Sequence, residues 1–322
     1  MNETRRALLD ALADGPVAGP ELADRLGVSR AAVWKQVEAL REDGFGVESG
    51  DGGYRVTDVP EYGESAIAFG LDAPFEIEYH DSFGSTNDRA RDLAVEGRSD
   101  IAIVTDEQTG ARGRLERQWT APSGGVWMSL LVRPDRPPAH VPVFTLAAAV
   151  ATTRAAREAG VDAHIKWPND VLVGDGGGPD AADSVATGRG GRKLAGVLTE
   201  MEGEADRVSW LIVGIGVNAN VDTADLPPGA TSIREEVGDV DRRAFVQRLL
   251  EEFHALRADT EAVLPAWREY ASTLGRRVRV ETPGGTVEGE AVDVRFPGAL
   301  VVRTDDGEEV VHAGDCEHLR SA

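Results

Sequence analysis

Residues 108–132 read QTGARGRLERQWTAPSGGVWMSLLV, an arginine-rich loop followed directly by a strand. The loop carries Arg112, Arg114 and Arg117, and residues 126–132 alternate between two faces with the period of a half-buried strand. Each guanidinium offers a planar fork to carboxylate or phosphate oxygens, so three of them on one loop suit a multiply charged anion. A solvated basic turn is the alternative. Because the chain as a whole is acidic, with 56 Asp and Glu against 34 Lys and Arg, we favour the anion site.

The overall composition limits the class of protein. A chain of 322 residues can hold two or three domains, and a net charge of −22 would ordinarily argue against a nucleic-acid partner. Only Lys35, Lys166 and Lys193 are lysines, so all the other basic residues are arginines. Few lysines among many Asp, Glu and Ala residues predict a halophilic protein with a surface adapted to high salt. The acidity is then a property of the habitat and not of the ligand.

The cysteine content and the N-terminus bear on the cellular compartment. One cysteine, Cys316, excludes an internal disulfide framework and is compatible with a reducing cytoplasm. The N-terminus has no apolar core of the signal-peptide type, and no run approaches the roughly 18 apolar residues needed to span a bilayer. We therefore expect a soluble cytoplasmic protein without a membrane partner.

The first 60 residues have the pattern of a winged helix-turn-helix. Leu8, Leu9 and Leu12 predict a first amphipathic helix. Two further helices, predicted at residues 21–26 and 30–43, are joined by a tight turn in which Ser29 is the expected N-cap. Gly50-Asp51-Gly52 lies between two short strands that would form the wing. The second helix of the pair carries a local excess of positive charge. We predict that it binds DNA through Ser29, Arg30, Lys35 and Arg41. A packing or dimerisation module is the alternative.

The rest of the chain alternates predicted strands and helices and then ends in short strands. Residues 58–75 are predicted to be a linker, and residues 174–191, with seven glycines, a flexible insertion in a hairpin loop. The predicted central strands are 75–79, 101–105, 126–132, one that begins at residue 165, 171–173, 192–200 and 210–218. The predicted helices are 88–96, 143–159, 241–260 and 264–273. Four short strands from residue 277 onward predict a small SH3-like barrel.

The arginine loop resembles the biotin-binding signature of biotin protein ligases, a glycine-arginine-glycine-arginine loop followed two residues later by glycine-arginine and then tryptophan. The matching residues are Arg112, Gly113, Arg114, Arg117 and Trp119. Ala111 and Glu116 stand where the family has its first and last glycine. Alanine can replace glycine only where φ stays negative, so these departures bear on the conformation of the loop more than on its charges.

Three further segments resemble the same family. Ser85-Thr86-Asn87 corresponds to a triplet that hydrogen-bonds the biotin head group, although such a triplet can also simply cap a helix. The pentapeptide at residues 166–170, KWPND, resembles a nucleotide and metal site, with a surface turn as the alternative. Residues 210–218, WLIVGIGVN, end in a Gly-x-Gly-x-Asn turn that lines the adenylate pocket in the family.

The lysines give an independent indication of the same site. Lys166 and Lys193, two of the three lysines, fall in segments that resemble the active site of the family. A compact ammonium that must reach a carboxylate and a phosphate at once is not replaceable by the flat guanidinium of arginine. A chain that has otherwise replaced lysine would keep it at such a position.

The resemblance implies an α+β fold in three parts. These are an N-terminal winged helix-turn-helix domain at residues 1–60, a central mixed α/β ligase domain like that of class II synthetases at residues 61–273, and a C-terminal SH3-like β-barrel at residues 274–322. The implied activity is ATP-dependent formation of biotinyl-5′-AMP with Mg²⁺, followed by transfer of biotin to a lysine of the biotin carboxyl carrier protein of a biotin-dependent carboxylase.

The N-terminal domain also resembles that of ligases that double as repressors of biotin genes. This implies operator DNA as a second partner and a ligand-dependent homodimer. Two alternatives stay open: a ligand-sensing transcription factor without catalysis, and a lipoate ligase. The winged helix and the arginine loop argue against the lipoate ligase.

The resemblance further assigns roles to single residues. The predicted catalytic residues are Arg112, Lys193 and Asp170, and Asp170 is also the predicted Mg²⁺ ligand. The predicted biotin-binding residues are Ser85, Thr86, Asn87, Gln108, Arg112, Gly113, Arg114, Lys193 and Gly196. The predicted ATP-binding residues are Arg114, Arg117, Trp119, Lys166, Asn169 and Asn218. A metal cluster of His312, Cys316 and His318 is a weaker interpretation, because three candidate ligands in one short loop are less specific than a paired motif.

Overall fold

The structure is a computed structural model that describes residues 3–114, 117, 119–174 and 190–319. Glu116 lies outside the described residues, as do residues 175–189, which make up most of the predicted glycine-rich insertion. Within the described ranges, none of the helices combines the length and the apolarity that crossing a bilayer requires.

The N-terminal part consists of three helices and a two-stranded hairpin, as predicted. Ser29 caps the third helix, since its hydroxyl accepts a hydrogen bond from the Ala32 amide at 3.2 Å. Gly27 ends the second helix with a φ of 63°, a left-handed conformation that glycine adopts without strain. The elements are α1 (Glu3–Ala13), α2 (Gly19–Leu26), α3 (Arg30–Glu42), β1 (Gly46–Gly50) and β2 (Gly53–Asp58).

The predicted linker at residues 58–75 contains a helix, α4 (Glu64–Ala68), that the sequence patterns did not indicate. Its four last residues are buried. The Gln247 amide donates hydrogen bonds to the carbonyls of Ile67 and Phe69 at 2.8 and 2.7 Å, so the segment packs against the central part of the protein. Prolines and glycines mark the ends of this segment, and they hide the one buried turn between them.

A seven-stranded sheet forms the centre of the protein, in the order β3-β4-β5-β9-β8-β7-β6. β3 and β4 are parallel, and all other neighbours are antiparallel. The sequence located these strands, although several extend further than predicted. They are β3 (Glu76–Phe83), β4 (Ile101–Gln108), β5 (Val126–Val132), β6 (Ala163–Lys166), β7 (Asp170–Val173), β8 (Arg192–Gly203) and β9 (Val208–Val217).

Helices cover both faces of this sheet. The prediction that β5 is half-buried was therefore wrong: every residue of the strand is buried. Leu131 packs with Leu93 of α5 on one face, whereas Met128 and Leu130 belong to the core that includes Val150 of α6 on the other. The helices are α5 (Thr86–Val95), α6 (Pro142–Glu158), α7 (Ile233–Val237), α8 (Arg242–Ala258) and α9 (Val263–Tyr270).

The C-terminal part is a five-stranded antiparallel sheet in the order β13-β12-β11-β10-β14. Four strands were predicted, and the last one, β14, was not. The sheet docks on the centre through Trp167, whose indole donates to the Gly298 carbonyl at 2.9 Å. The strands are β10 (Arg277–Thr282), β11 (Gly285–Arg295), β12 (Ala299–Thr304), β13 (Gly307–Val311) and β14 (Asp315–His318). The domain boundaries at residues 60 and 273 stay a prediction.

Candidate active site

One cavity of about 420 Å³ gathers every residue that the sequence assigned to catalysis, biotin or ATP. It lies between the start of α5, the arginine loop, strands β7 to β9 and the start of β14. Its lining includes Ser85, Thr86, Asn87, Gln108, Arg112, Gly113, Arg114, Arg117, Trp119, Lys166, Asn169, Asp170, Lys193, Gly196 and Asn218. The structure thus places these fifteen residues together, while their individual roles stay predictions.

One end of the cavity is lined by neutral hydrogen-bonding groups at the start of α5. This helix begins two residues earlier than predicted, and Ser85 is its N-cap, with a hydroxyl that accepts from the Asp88 amide at 3.3 Å. Gln108 Oε1 accepts from both the amide and the hydroxyl of Thr86, at 2.7 and 3.1 Å. These two hydrogen bonds to Oε1 fix the orientation of the Gln108 side-chain amide. Ser85 thus caps the helix and also lines the cavity, while its hydrogen bond to biotin stays a prediction.

A second layer of polar residues holds this end in place, and the sequence did not predict it. The buried Ser129 hydroxyl lies 2.7 Å from Thr86 Oγ1 and 2.5 Å from Asn87 Oδ1. The Asn87 amide nitrogen donates to Glu200 Oε1 at 3.0 Å, and the other Glu200 oxygen pairs with Arg91. A serine inside the apolar strand VWMSLLV was the available signal, since a buried hydroxyl needs a partner.

Two glycines on adjacent strands make a flat floor under Trp119. Gly196 of β8 and Gly216 of β9 are directly paired across the sheet. A Cβ atom at either position would lie 3.1 Å from the indole of Trp119. Glycine is needed here because the ring lies against the backbone, and not because of an unusual φ. The predicted Gly-x-Gly-x-Asn turn was wrong in this respect, because Gly214 and Gly216 lie inside β9.

Lys193 and Asp170 form an ion pair in the cavity, with Nζ 2.5 Å from Oδ1. The two side chains are 19% and 20% exposed. Lys193 Nζ also lies 5.0 Å from the centre of the Trp119 ring, within the range of a cation–π contact. Lys166, which is buried, is the cross-strand neighbour of Asp170 between β6 and β7. Both lysines that the sequence indicated therefore line the same cavity, and Lys193 is the one that pairs with the Asp170 carboxylate.

The arginine loop connects the central and C-terminal parts of the protein. Arg114 donates to Asn169 Oδ1 at 3.1 Å and to the Gly314 carbonyl at 2.8 Å. Arg117 pairs with Asp315 at 2.6 Å. Arg112 pairs with Asp88 at 2.5 Å, next to the neutral end. The loop is therefore held at three points by oxygen atoms of the protein.

Alanine is compatible with the conformation of this loop. Among the described residues other than glycine, only Asp100 has a positive φ. Ala111 therefore has a negative φ, which is the condition under which alanine can replace glycine. The Trp119 amide donates to the Ala111 carbonyl at 3.2 Å, and the Gly113 amide donates to the Arg117 carbonyl at 2.7 Å. These bonds fold the loop back on itself.

The start of β14 adds residues that the sequence did not place in the site. Burial acts to raise the pKa of Asp315, but the neighbouring Arg117, Arg114 and Lys166 outweigh it and leave this pKa below its usual value. Burial raises the pKa of the Cys316 thiol to about 12, so the thiol stays protonated. The sequence could have predicted this placement only by recognising β14.

The predicted metal and nucleotide residues offer a ligand one carboxylate and one buried amide oxygen. Among the described residues, no group of three or more His, Cys, Asp or Glu side chains is arranged to hold a metal ion, so the cluster of His312, Cys316 and His318 was wrong. Asp170 contributes a single carboxylate. Asn218 donates to the Thr231 carbonyl at 2.9 Å, while its buried Oδ1 has no hydrogen-bond partner among the described residues. An acceptor of this kind can receive a donor from a ligand.

The residues predicted to bind DNA lie on α3 or at its N-cap, and none of them lines this cavity. Ser29, Arg30 and Lys35 are exposed. Arg41 is half-buried and donates to the Val47 carbonyl of β1 at 3.0 and 2.6 Å, so it orients the wing. Its part in DNA binding stays a prediction, as do those of the other three.

Comparison with known proteins finds family matches for three separate parts of the chain. Residues 4–55 match a helix-turn-helix (HTH) domain, residues 82–218 the biotin/lipoate A/B protein ligase family, and residues 273–319 the biotin protein ligase C-terminal domain. The bifunctional ligase/repressor BirA of Bacillus subtilis is 37% identical over 319 residues, which cover 94% of this chain and 93% of that protein. The chain belongs to the family of bifunctional biotin ligase/repressor proteins.

Two other relatives add to this family assignment. The biotin--[acetyl-CoA-carboxylase] ligase of Mycobacterium tuberculosis is 32% identical over 251 residues, covering 74% of this chain and 86% of that protein. The biotin protein ligase from Aquifex aeolicus in complex with biotin and ATP has a similar fold, with a TM-score of 0.61 and 25% identity. The match covers 76% of this chain and 99% of the Aquifex aeolicus chain.

Proposed function

We propose that this member of the family is an ATP-dependent biotin protein ligase that forms biotinyl-5′-AMP and transfers biotin to a lysine of a biotin carboxyl carrier protein. One observation carries the proposal: a single cavity joins a neutral hydrogen-bonding end to a cationic end. A neutral bicyclic urea needs oriented donors and acceptors, whereas a carboxylate and a triphosphate need cations. The substrate that combines both requirements is biotin beside ATP.

The residues of the cavity suit both half-reactions. In the first, a carboxylate oxygen of biotin attacks the α-phosphorus of ATP, the bond to the bridging oxygen breaks, and pyrophosphate leaves. Lys193 and Arg112 neutralise charge where carboxylate and phosphate approach each other. In the second, the amine of the acceptor lysine attacks the activated carbonyl, loses a proton and forms an amide, and AMP leaves. Both steps require positioning and charge neutralisation more than a protein nucleophile.

Asp170 is the protein group that would hold a Mg²⁺ ion brought with ATP. Magnesium is usually bound by one or two carboxylates together with substrate phosphates and water, so a single carboxylate at the cationic end fits. Binding would require Asp170 to leave Lys193, which lies 2.5 Å away. The released lysine then faces the substrate anions.

The test is incubation of the protein with biotin, Mg-ATP and a biotin carboxyl carrier domain, followed by mass spectrometry of the carrier. We expect a mass gain of one biotinyl group on one lysine, and biotinyl-5′-AMP when the carrier is omitted. Lipoate replaces biotin in a parallel reaction. Transfer of lipoate alone would identify a lipoate ligase, and binding of biotin without turnover a sensor that lacks catalysis.

We propose as a second function that the protein represses biotin genes as a homodimer. The observation that favours it is the exposed, positively charged surface of α3 next to the wing. A single winged helix makes few phosphate contacts and loses affinity steeply with salt, so two recognition helices on one palindromic site bind more firmly. Biotinyl-5′-AMP orders the arginine loop around Gly113 and thereby favours the dimer.

Sedimentation and DNA-binding measurements with and without biotinyl-5′-AMP test this second function. Because coupling between two binding sites is reciprocal, operator DNA should also slow the loss of the adenylate. An oligomeric state and a DNA affinity that are both indifferent to the adenylate would leave the winged helix with a structural role only.

The same proposal includes a cytoplasmic protein adapted to high salt. It is supported by the shortage of lysine and by many surface pairs of arginine with Asp or Glu, such as Arg277 and Arg279 beside Glu288. Melting temperature and ligase rate measured from low to molar potassium chloride test it. A fall of both quantities with added salt would contradict the adaptation.

A further inference from the structure

Helix α3 presents one large apolar side chain to solvent, that of Trp34. The indole is 56% exposed, although tryptophan is ordinarily well buried in folded proteins. The buried positions of the helix are Val33, Val37 and Leu40, which leave Trp34 outside the core. Within the described part of the chain, no hydrogen bond or ring contact involves this indole. Its exposure therefore has no structural explanation in the folded monomer.

The surroundings of Trp34 are those of an anion-facing surface. Arg30 lies one helical turn before it on the same side of the helix, Lys35 follows it directly, and both are exposed. Glu38, one turn after Trp34, pairs with Arg41 at 2.5 Å, so its negative charge is largely balanced. The exposed surface thus presents a cation, an indole and a second cation in a protein whose net charge is −22.

We propose that Trp34 contacts bases of duplex DNA, with its ring against the methyl group of a thymine in the major groove. The inference rests on the repressor function proposed above and names the residue that reads sequence there. In the major groove, the methyl group of thymine is an apolar feature that helps to distinguish A·T and T·A pairs from the other base pairs. An indole is a flat apolar surface with a single donor, so it suits this methyl better than it suits a phosphate. Arg30 and Lys35 contact the phosphates on either side.

This division of roles has a measurable consequence in salt. Each phosphate contact releases counterions, so the logarithm of affinity falls with the logarithm of salt concentration by about 0.9 per contact. An apolar contact releases none. Removal of the indole should therefore lower the affinity without changing the salt slope, whereas removal of a phosphate-contacting side chain should reduce the slope.

The experiment uses the intact protein with biotin and Mg-ATP. A pool of random-sequence duplexes is first selected by the wild-type protein, and the affinity for the selected duplex is then measured over a salt series. We expect Trp34→Ala to bind the selected duplex about tenfold more weakly with an unchanged slope, Trp34→Phe to recover part of the loss, and Arg30→Ala to reduce the slope by about one. Binding of an unselected duplex by Trp34→Ala should match the wild type. Thermal unfolding of each variant checks that it is folded.

Replacement of single thymines by deoxyuridine makes the test specific, because deoxyuridine lacks only the methyl group. We expect one position at which this replacement weakens the wild type but not Trp34→Ala. Equal affinity and selectivity of wild type and Trp34→Ala on the selected duplex would overturn the inference while leaving the repressor function intact. A changed sedimentation coefficient of Trp34→Ala without DNA would overturn it in favour of a contact between two copies of the chain. Failure of the wild type to select any duplex would overturn both.

Discussion

The Lys193→Ala variant should lose at least a hundredfold in the rate of adenylate formation while it stays folded. The ammonium of Lys193 lies at the cationic end of the cavity, 2.5 Å from Asp170 and 5.0 Å from the centre of the Trp119 ring. Removal of one preorganised charge-stabilising donor typically costs about 2.7–4 kcal/mol of transition-state stabilisation, or a factor of about 10²–10³ in kcat. Arg112 remains on the other side of the site, so we expect the lower part of this range.

The same substitution leaves Asp170 without its partner. Both side chains are about one-fifth exposed, at 19% and 20%, so the pair lies between a surface and a buried ion pair. Surface pairs contribute up to about 1 kcal/mol, and rupture of a buried pair costs about 3–5 kcal/mol, so we expect a loss of roughly 2 kcal/mol. A domain with a stability of about 5–15 kcal/mol stays folded after this loss. The double variant Lys193→Ala with Asp170→Asn should recover most of the stability but none of the activity.

Pyrophosphate release at saturating biotin measures the chemistry, and urea unfolding measures the stability. Lys193→Arg tests whether a compact ammonium is required, and it should also be slow. Arg303→Ala is the matched control, because Arg303 pairs with Glu290 at 3.0 Å on the surface of the C-terminal sheet and does not line the cavity. Turnover of Lys193→Ala within about threefold of the wild type would refute the reasoning, since less than about 1 kcal/mol would then depend on this group.

Three further changes test other parts of the site. Glu200→Gln keeps an acceptor for Asn87 but removes the charge that pairs with Arg91, so the KM for biotin should rise about tenfold with a smaller change in kcat; the biotin dependence of turnover measures both. Gly216→Ala places a methyl group 3.1 Å from the Trp119 indole and should raise the KM for ATP several-fold, with the KM for biotin as the internal control. Burial lowers the pKa of His318 to about 3 from an ordinary 6.5, so its folded neutral form is increasingly unfavourable relative to the unfolded protein as pH falls from 6.5 towards 3. The free energy of unfolding, measured with urea, should therefore fall less between pH 7 and pH 5 for His318→Leu than for the wild type. An equal fall in both proteins would contradict the lowered pKa of His318.

Local signals in the sequence were sufficient for the N-terminal part. The cap at Ser29, the left-handed glycine at position 27 and the paired glycines of the hairpin each depend on residues within a few positions of one another. Such features can be predicted because their energetics are local. The helix at Glu64–Ala68 was missed because its formation depends on Gln247, which is distant in sequence.

Hydrophobic alternation in β5 showed which residues share a face but not whether the second face is covered. That face is covered by α5, and nothing within residues 126–132 records it. The second layer of polar residues could not be predicted for the same reason. Glu200 lies on β8 and Arg91 on α5, and only the tertiary fold brings them to Asn87. The residues themselves were predicted by motif, whereas the contacts that orient them are tertiary.

Four of the five cations predicted to bind substrate are engaged by named groups of the protein itself in this structure. Arg112 pairs with Asp88, Arg117 with Asp315 and Lys193 with Asp170, while Arg114 donates to Asn169 and Gly314. A substrate anion must therefore replace an existing oxygen, and its affinity reflects the difference between the two partners. Breaking the existing pair costs little free energy for Arg117, which is 66% exposed, because water screens that pair. The cost is highest for Lys193, which is 19% exposed. Arg117 can thus exchange partners readily as substrate enters, whereas Lys193 is released from Asp170 when that carboxylate takes another cation or when a ligand presents negative charge at one defined point. Among these four cations, Lys193 is therefore the one whose exchange the geometry makes most selective.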